Sequence, residues 1–71
     1  MKTSITVQLE YSGQWLPGEL MLDGNGSPVV VIAGETEERG PADVFYIRSD
    51  AEADEILLDL AAEAGFNVIE G

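Results

Sequence analysis

The hydrophobic period of this chain changes once, and that change restricts its architecture more than any other feature. Up to Arg48 the apolar residues alternate or form short β-branched runs; beyond it they recur at helical spacing. Ile5-Thr6-Val7-Gln8-Leu9-Glu10-Tyr11 alternates at every step, which places Ile5, Val7, Leu9 and Tyr11 on one face of a half-buried strand. Ser12-Gly13-Gln14 supplies a turn, and Trp15 to Leu22 reads as the returning strand. Pro17 cannot donate to a ladder, so this strand is expected to start late or to lie at a sheet edge. Asp23-Gly24-Asn25-Gly26-Ser27-Pro28 is a loop of residues suited to tight reversals. Val29-Val30-Val31-Ile32-Ala33, apolar on both faces, predicts a central strand covered on both sides. Gly34 to Pro41 is a polar loop, and Asp43 to Arg48 predicts a fourth strand.

Ser49 or Asp50 suits a helix N-cap, and Asp50, Glu52 and Asp54 complement the positive end of the helix that follows. Ala53, Ile56, Leu57, Leu60, Ala61 and Ala64 recur at i, i+3, i+4, i+7, i+8 and i+11, one apolar stripe that leaves Leu58 to its side. Gly65 is placed to end the helix in a left-handed conformation, and Phe66 to Ile69 would form a short last strand. The order ββββαβ predicts a single α+β domain over residues 1–71. Its sheet is expected to be antiparallel, of four to five strands, with one helix packed across a face. The expected core comprises Val7, Leu9, Leu20, Leu22, Val30, Ile32, Phe45, Ile47, Ile56, Leu57, Leu60 and Val68.

Composition narrows the chemistry. Cysteine and histidine are both absent, which removes disulfides, the usual zinc, copper and haem ligands, and the commonest general base. No Ser, Lys or Tyr stands beside an evident activating base, and a chain this short has little material for a cleft. The expectation is a protein that is not an enzyme and uses no cofactor or metal. No apolar run approaches the roughly 20 residues that span a bilayer, and Met1-Lys2-Thr3-Ser4 lacks the apolar region of a secretory signal. Cytoplasm is therefore the expected location.

Fourteen Asp and Glu residues stand against three Lys and Arg, for a net charge of −11. Direct binding to nucleic acid or to an anionic membrane is excluded on repulsion alone. The imbalance peaks after Asp50, where no cation occurs, and carboxylates Glu52, Glu55, Asp59 and Glu63 lie opposite the apolar stripe. Like charges three and four residues apart oppose helix formation by a few tenths of a kcal/mol per pair. Such neighbours lie about 5–6 Å apart, a scale comparable to phosphates along a nucleic-acid strand, so a basic phosphate-binding groove would accept this face. Glu35, Glu37 and Glu38 in the polar loop form a second candidate surface. Charge of this kind also serves solubility or a salty cytoplasm, in which case it marks an acidic accessory or structural domain.

Other constellations fail on spacing. Asp50, Glu52 and Asp54 begin like a calcium loop, but Glu55 stands where glycine is required and Ala61 where the bidentate glutamate should be. Asp23, Asn25 and Ser27 imitate the same start with Pro28 at the glycine position, and the loop reads as a turn. Gly24-x-Gly26 lacks the rest of a dinucleotide fingerprint.

Two resemblances bear on function. The segment Tyr11-Ser12-Gly13-Gln14-Trp15-Leu16-Pro17-Gly18-Glu19-Leu20, with Val29-Val30-Val31 and Ala42-Asp43-Val44, loosely resembles the strand pattern of Tudor and related SH3-like barrels. That resemblance implies a peptide-binding module whose aromatic cage would draw on Trp15, Tyr11 and Tyr46. Read from the residues, Trp15 and Tyr11 are core or hairpin aromatics. Size, acidity and the lack of catalytic groups resemble, at class level, the small acidic inhibitors of bacteriophages: anti-CRISPR proteins, anti-restriction proteins and the uracil-DNA glycosylase inhibitor. This second resemblance implies a non-enzymatic protein that blocks a basic, nucleic-acid-handling partner by mimicking nucleic acid. The charge geometry makes Glu52, Glu55, Asp59, Glu63, Glu35, Glu37 and Glu38 the candidate contacts.

Overall fold

The computed structural model describes residues 4–49 and 55–70. They form β1 (Ser4–Tyr11), β2 (Gln14–Leu22), β3 (Pro28–Ile32), β4 (Tyr46–Ser49), α1 (Glu55–Glu63) and β5 (Val68–Glu70). All five strands join one sheet in the order β3-β2-β1-β4-β5, so the α+β class and the ββββαβ order hold.

The sheet grows from the β1–β2 hairpin, paired from Ser4↔Met21 to Tyr11↔Gln14. Its two-residue connection has positive φ at both positions, 54° at Ser12 and 81° at Gly13, as in a type I′ turn. Glycine adopts this conformation freely and serine does not. The Gly13 amide donates to Glu10 Oε1 at 3.0 Å, which helps hold the turn. In the β2–β3 loop, Asp23 Oδ1 accepts from the Asn25 and Ser27 amides at 2.8 and 2.9 Å. The carboxylate that imitates a calcium ligand thus organises a turn.

Three strand expectations are corrected. β2 neither starts late nor lies at an edge; it runs between β1 and β3 through Pro17. β3 ends opposite Gly18, so Pro17 stands at the last rung, where its carbonyl accepts from the Ala33 amide at 3.0 Å. The missing N–H forfeits only the reciprocal bond there. β3 is itself an edge strand and not a central one. Its outer edge is paired in part, where Val30 and Arg39 exchange backbone bonds of 3.0 and 2.8 Å; Val30 and Ile32 face the core and Val29 and Val31 the other face. β4 begins at Tyr46 and not at Asp43, because Gly40 to Asp43 closes a turn (Asp43 N to Gly40 O, 3.0 Å) that rotates Val44 into the core.

The sheet is also mixed. β5 pairs parallel with β4, from Ile47↔Val68 to Ser49↔Glu70, since the chain returns through a helix rather than a hairpin. α1 ends in a Schellman arrangement: Gly65 has φ 108°, its amide reaches Ala62 O at 3.1 Å, and the Phe66 amide reaches Ala61 O at 3.0 Å. This hooks Phe66 back into the core beside Ala61.

One cluster of buried side chains forms the core: Ile5, Val7, Leu9, Leu20, Val30, Ile32, Val44, Ile47, Leu57, Ala61 and Phe66, with Leu22, Leu58 and Val68 packed against it. Phe45 and Ile56, expected inside, are exposed, and Leu60 is only half-buried. The helix is rotated from the expected stripe. It buries Leu57 and Ala61 and turns Leu58 inward instead of Ile56. Both stripes contain Leu57 and Ala61, and Ile56-Leu57-Leu58 is apolar throughout, so the sequence suits either; in the structure α1 packs against β3 and β5. Ala53, Asp50 and the helix cap lie outside the described residues.

Truncating Leu57 to Ala should destabilise the domain by about 2–5 kcal/mol in chemical denaturation. Ile56→Ala, at a side chain 55% exposed, should cost less than half as much. A Cβ at Gly18 would stand 2.6 Å from both Leu9 Cδ1 and the Val31 carbonyl oxygen. Gly18→Ala should therefore cost about 1–3 kcal/mol by overpacking, read in the same assay.

Candidate functional site

Residues of the sheet fall on two faces by strict alternation. Every buried strand side chain in the core lies on the face that α1 covers. On that covered side the helix shows its polar flank to solvent, and Glu55, Asp59 and Glu63 are all exposed along it. Glu52 lies outside the described residues. Glu55 sits in the first turn, where it complements the helix dipole; Glu63 stands at the end where no basic residue offsets it. Glu55 and Asp59 also border a shallow groove of ≈510 Å³ between helix and sheet, floored by Leu58, Ala62 and Val68. The structure thus joins two of the expected carboxylates to an apolar floor and leaves Glu63 beyond the groove.

The loop carboxylates differ. Arg39 Nη2 lies 3.0 Å from Glu35 Oε1 and 3.9 Å from Glu37 Oε2, so two of the three are tied to a cation of the chain itself. Glu38 is exposed. Arg39 is pinned in turn by its bridge to Val30, donates from Nη1 to the Tyr11 hydroxyl at 3.3 Å, and places its guanidinium carbon 5.0 Å from the centre of that ring. The Glu35 hydrogen bond, opposed by desolvation and reinforced by Tyr11, raises the guanidinium pKa above its ordinary value. Arg39 is therefore charged at any working pH, and as an acidic surface the loop is weaker than its composition implies.

The other described cation, Arg48, lies over the Trp15 ring with its guanidinium carbon 4.6 Å from the centroid. Trp15 and Arg48 sit on strands separated by β1, and the side chain crosses that strand to reach the ring. Sequence reading missed this contact because it depends on strand register, with Glu10 opposite both Trp15 and Tyr46 and Gln8 opposite Arg48. The same register places Tyr11 and Trp15 on opposite faces. Tyr11 meets Phe45 instead, at 6.4 Å between centroids. Trp15, Tyr11 and Tyr46 do not converge, the sheet is open rather than a barrel, and the rings of Trp15 and Tyr11 each hold an internal arginine.

A second concavity of ≈330 Å³ lies at the β2–β3 end of the sheet, lined by Pro17, Glu19, Met21, Val31 and Glu35 among others. Among the described residues no three acidic side chains converge to hold a metal ion, and no helix is long and apolar enough to cross a membrane. Comparison with protein families, with curated proteins and with solved structures finds no match to this chain.

Screening should relieve the crowding of these carboxylates. The Debye length falls from about 10 Å at 0.1 M salt to about 3 Å at 1 M. The melting temperature should rise with sodium chloride across that range, as read by circular dichroism; a flat response would show that the charges are too dispersed to repel.

Proposed function

We propose that this chain is a non-enzymatic acidic binding protein of the cytoplasm that docks on a basic, nucleic-acid-handling partner and blocks it. The observation that carries this reading is the exposed row Glu55, Asp59 and Glu63 on a helix with no basic residue in its last turn, beside an apolar-floored groove. A solubility face mixes signs. This one keeps a single sign and thereby accepts the cost of like-charge neighbours. Both described arginines lie against aromatic rings of the sheet, so neither interrupts the negative surface of the helix. A lysine- or arginine-lined groove built for phosphates would meet carboxylates at a workable spacing and could also cover the apolar floor with its own side-chain stems.

Reversing Glu55, Asp59 and Glu63 together to lysine tests the reading. Lysine is a good helix former and these positions face solvent, so circular dichroism should show an intact fold. Affinity for the protein recovered from host lysate should fall by more than about tenfold, mainly through slower association, and nucleic acid should compete with the wild-type chain. A folded triple variant that binds as well as wild type sinks the proposal.

A further inference from the structure

The face of the sheet turned away from α1 carries Trp15, Pro17, Met21 and Val31 on one side and Tyr46 and Ile69 on the other of a polar row that β1 supplies, Ser4, Thr6, Gln8 and Glu10, and none of its side chains is fully buried. Trp15, Tyr46 and Ile69 are 40%, 44% and 38% exposed. Charged positions on this face are few: Glu10 and Glu19, with Arg48 laid flat on Trp15. We propose that this open face is the anchor of the complex, and that it takes a protein surface whose apolar side chains meet those of the flanking strands and are framed by lysine and arginine. The inference rests on the basic-partner reading above and deepens it, by assigning attachment to a different surface from the acidic helix.

Charge complementarity selects the occupant. Each copy of the chain carries −11, and Glu10 and Glu19 stand on the face itself, so a second copy is repelled where a cationic frame is attracted. Size points the same way. Five strands about 4.8 Å apart and at most about 30 Å long give a plane of several hundred Å², short of the roughly 800 Å² each partner buries in a standard interface. Contact must use the whole face, including the ≈330 Å³ concavity on its β2–β3 side, where Glu19 stands beside Pro17, Met21 and Val31. Trp15, 40% exposed with Arg48 against its ring, offers an aromatic side chain of the kind that dominates binding energies. The helix carboxylates would then set the rate of encounter and the sheet face the residence time.

Two synthetic peptides of equal length and charge, one alternating Lys and Leu and the other Lys and Ser, separate the two surfaces. They are titrated into the ¹⁵N-labelled protein, with amide shifts and Trp15 fluorescence followed. The Lys-Leu peptide should bind at least about tenfold more tightly, with shifts centred on β1, β2 and β4. Trp15→Ala should abolish that advantage and leave the Lys-Ser affinity unchanged; Met21→Gln provides the same test should Trp15→Ala not fold. The Glu55, Asp59 and Glu63 reversal should weaken both peptides and preserve their ratio. Equal affinity for the two peptides, or shifts confined to α1, overturns the sheet-face anchor alone. Failure of both peptides to bind overturns the basic-partner reading with it. A dimer by sedimentation at about 1 M sodium chloride, with Trp15 at its interface, would assign the face to a second copy and also overturn the proposal.

Discussion

Register between β1 and β2 is the constraint on which the rest of this molecule depends. A two-residue turn at Ser12-Gly13 sets it, and a slip of one residue would turn one strand over relative to the other. With β1 in place, Leu16 and Leu20 would then face away from the core and Glu19 into it, on the side of Val7 and Leu9. The same register places Gly18 where Leu9 fills the space a Cβ would need, an interlock that holds β2 close to its neighbours. β3 adds to β2, β4 adds to β1, and each inherits its inward residues from that first pairing. The positive φ of Ser12 is a local cost that the ladder overrides.

How far the sequence could be read follows from which signals are local. Alternation from Ile5 to Tyr11, the turn at Ser12-Gly13 and the glycine stop at Gly65 are local, and each appears in the structure in its expected role. Strand order is not local. Val29 to Ile32 reads as central because it is apolar on both sides, yet it lies at an edge whose outer side is protected by the chain around Arg39. Nothing near Val30 in the sequence announces that cover. The rotation of α1 is equally hidden: with Ile56, Leu57 and Leu58 in succession, either of two stripes is available, and the side that meets β3 and β5 is set by tertiary packing. The site divides in the same way. Glu55, Asp59 and Glu63 can be placed on a helix face from spacing alone, whereas the pairing of Glu35 and Glu37 with Arg39 depends on how the loop folds, which their order in the chain does not show.

The two described arginines occupy unusual positions for so acidic a chain. Each lies against an aromatic ring, one on either face of the sheet, and Arg39 holds two carboxylates besides. A guanidinium can do both because it is planar, remains charged and is weakly hydrated. The positive charge is therefore spent on ordering the 33–45 segment and the Trp15 platform. It does little to dilute the negative charge of the helix. Glu10, Asp23, Glu35 and Glu37 help to order the turns and loops, whereas Glu55, Asp59 and Glu63 stand exposed along the helix.

That separation bears on why one small domain would carry both a single-sign helix face and an open apolar sheet face. An apolar face of this size on a neutral protein invites association with further copies. A net charge of −11 opposes this while the chain is alone and favours contact as soon as the opposing surface is cationic. In the function proposed above, the charge acts as a filter on which surface is admitted, and the open sheet face holds what the charge selects. Like-charge repulsion, a liability for the isolated fold, would then keep copies of the open face apart while admitting a cationic surface.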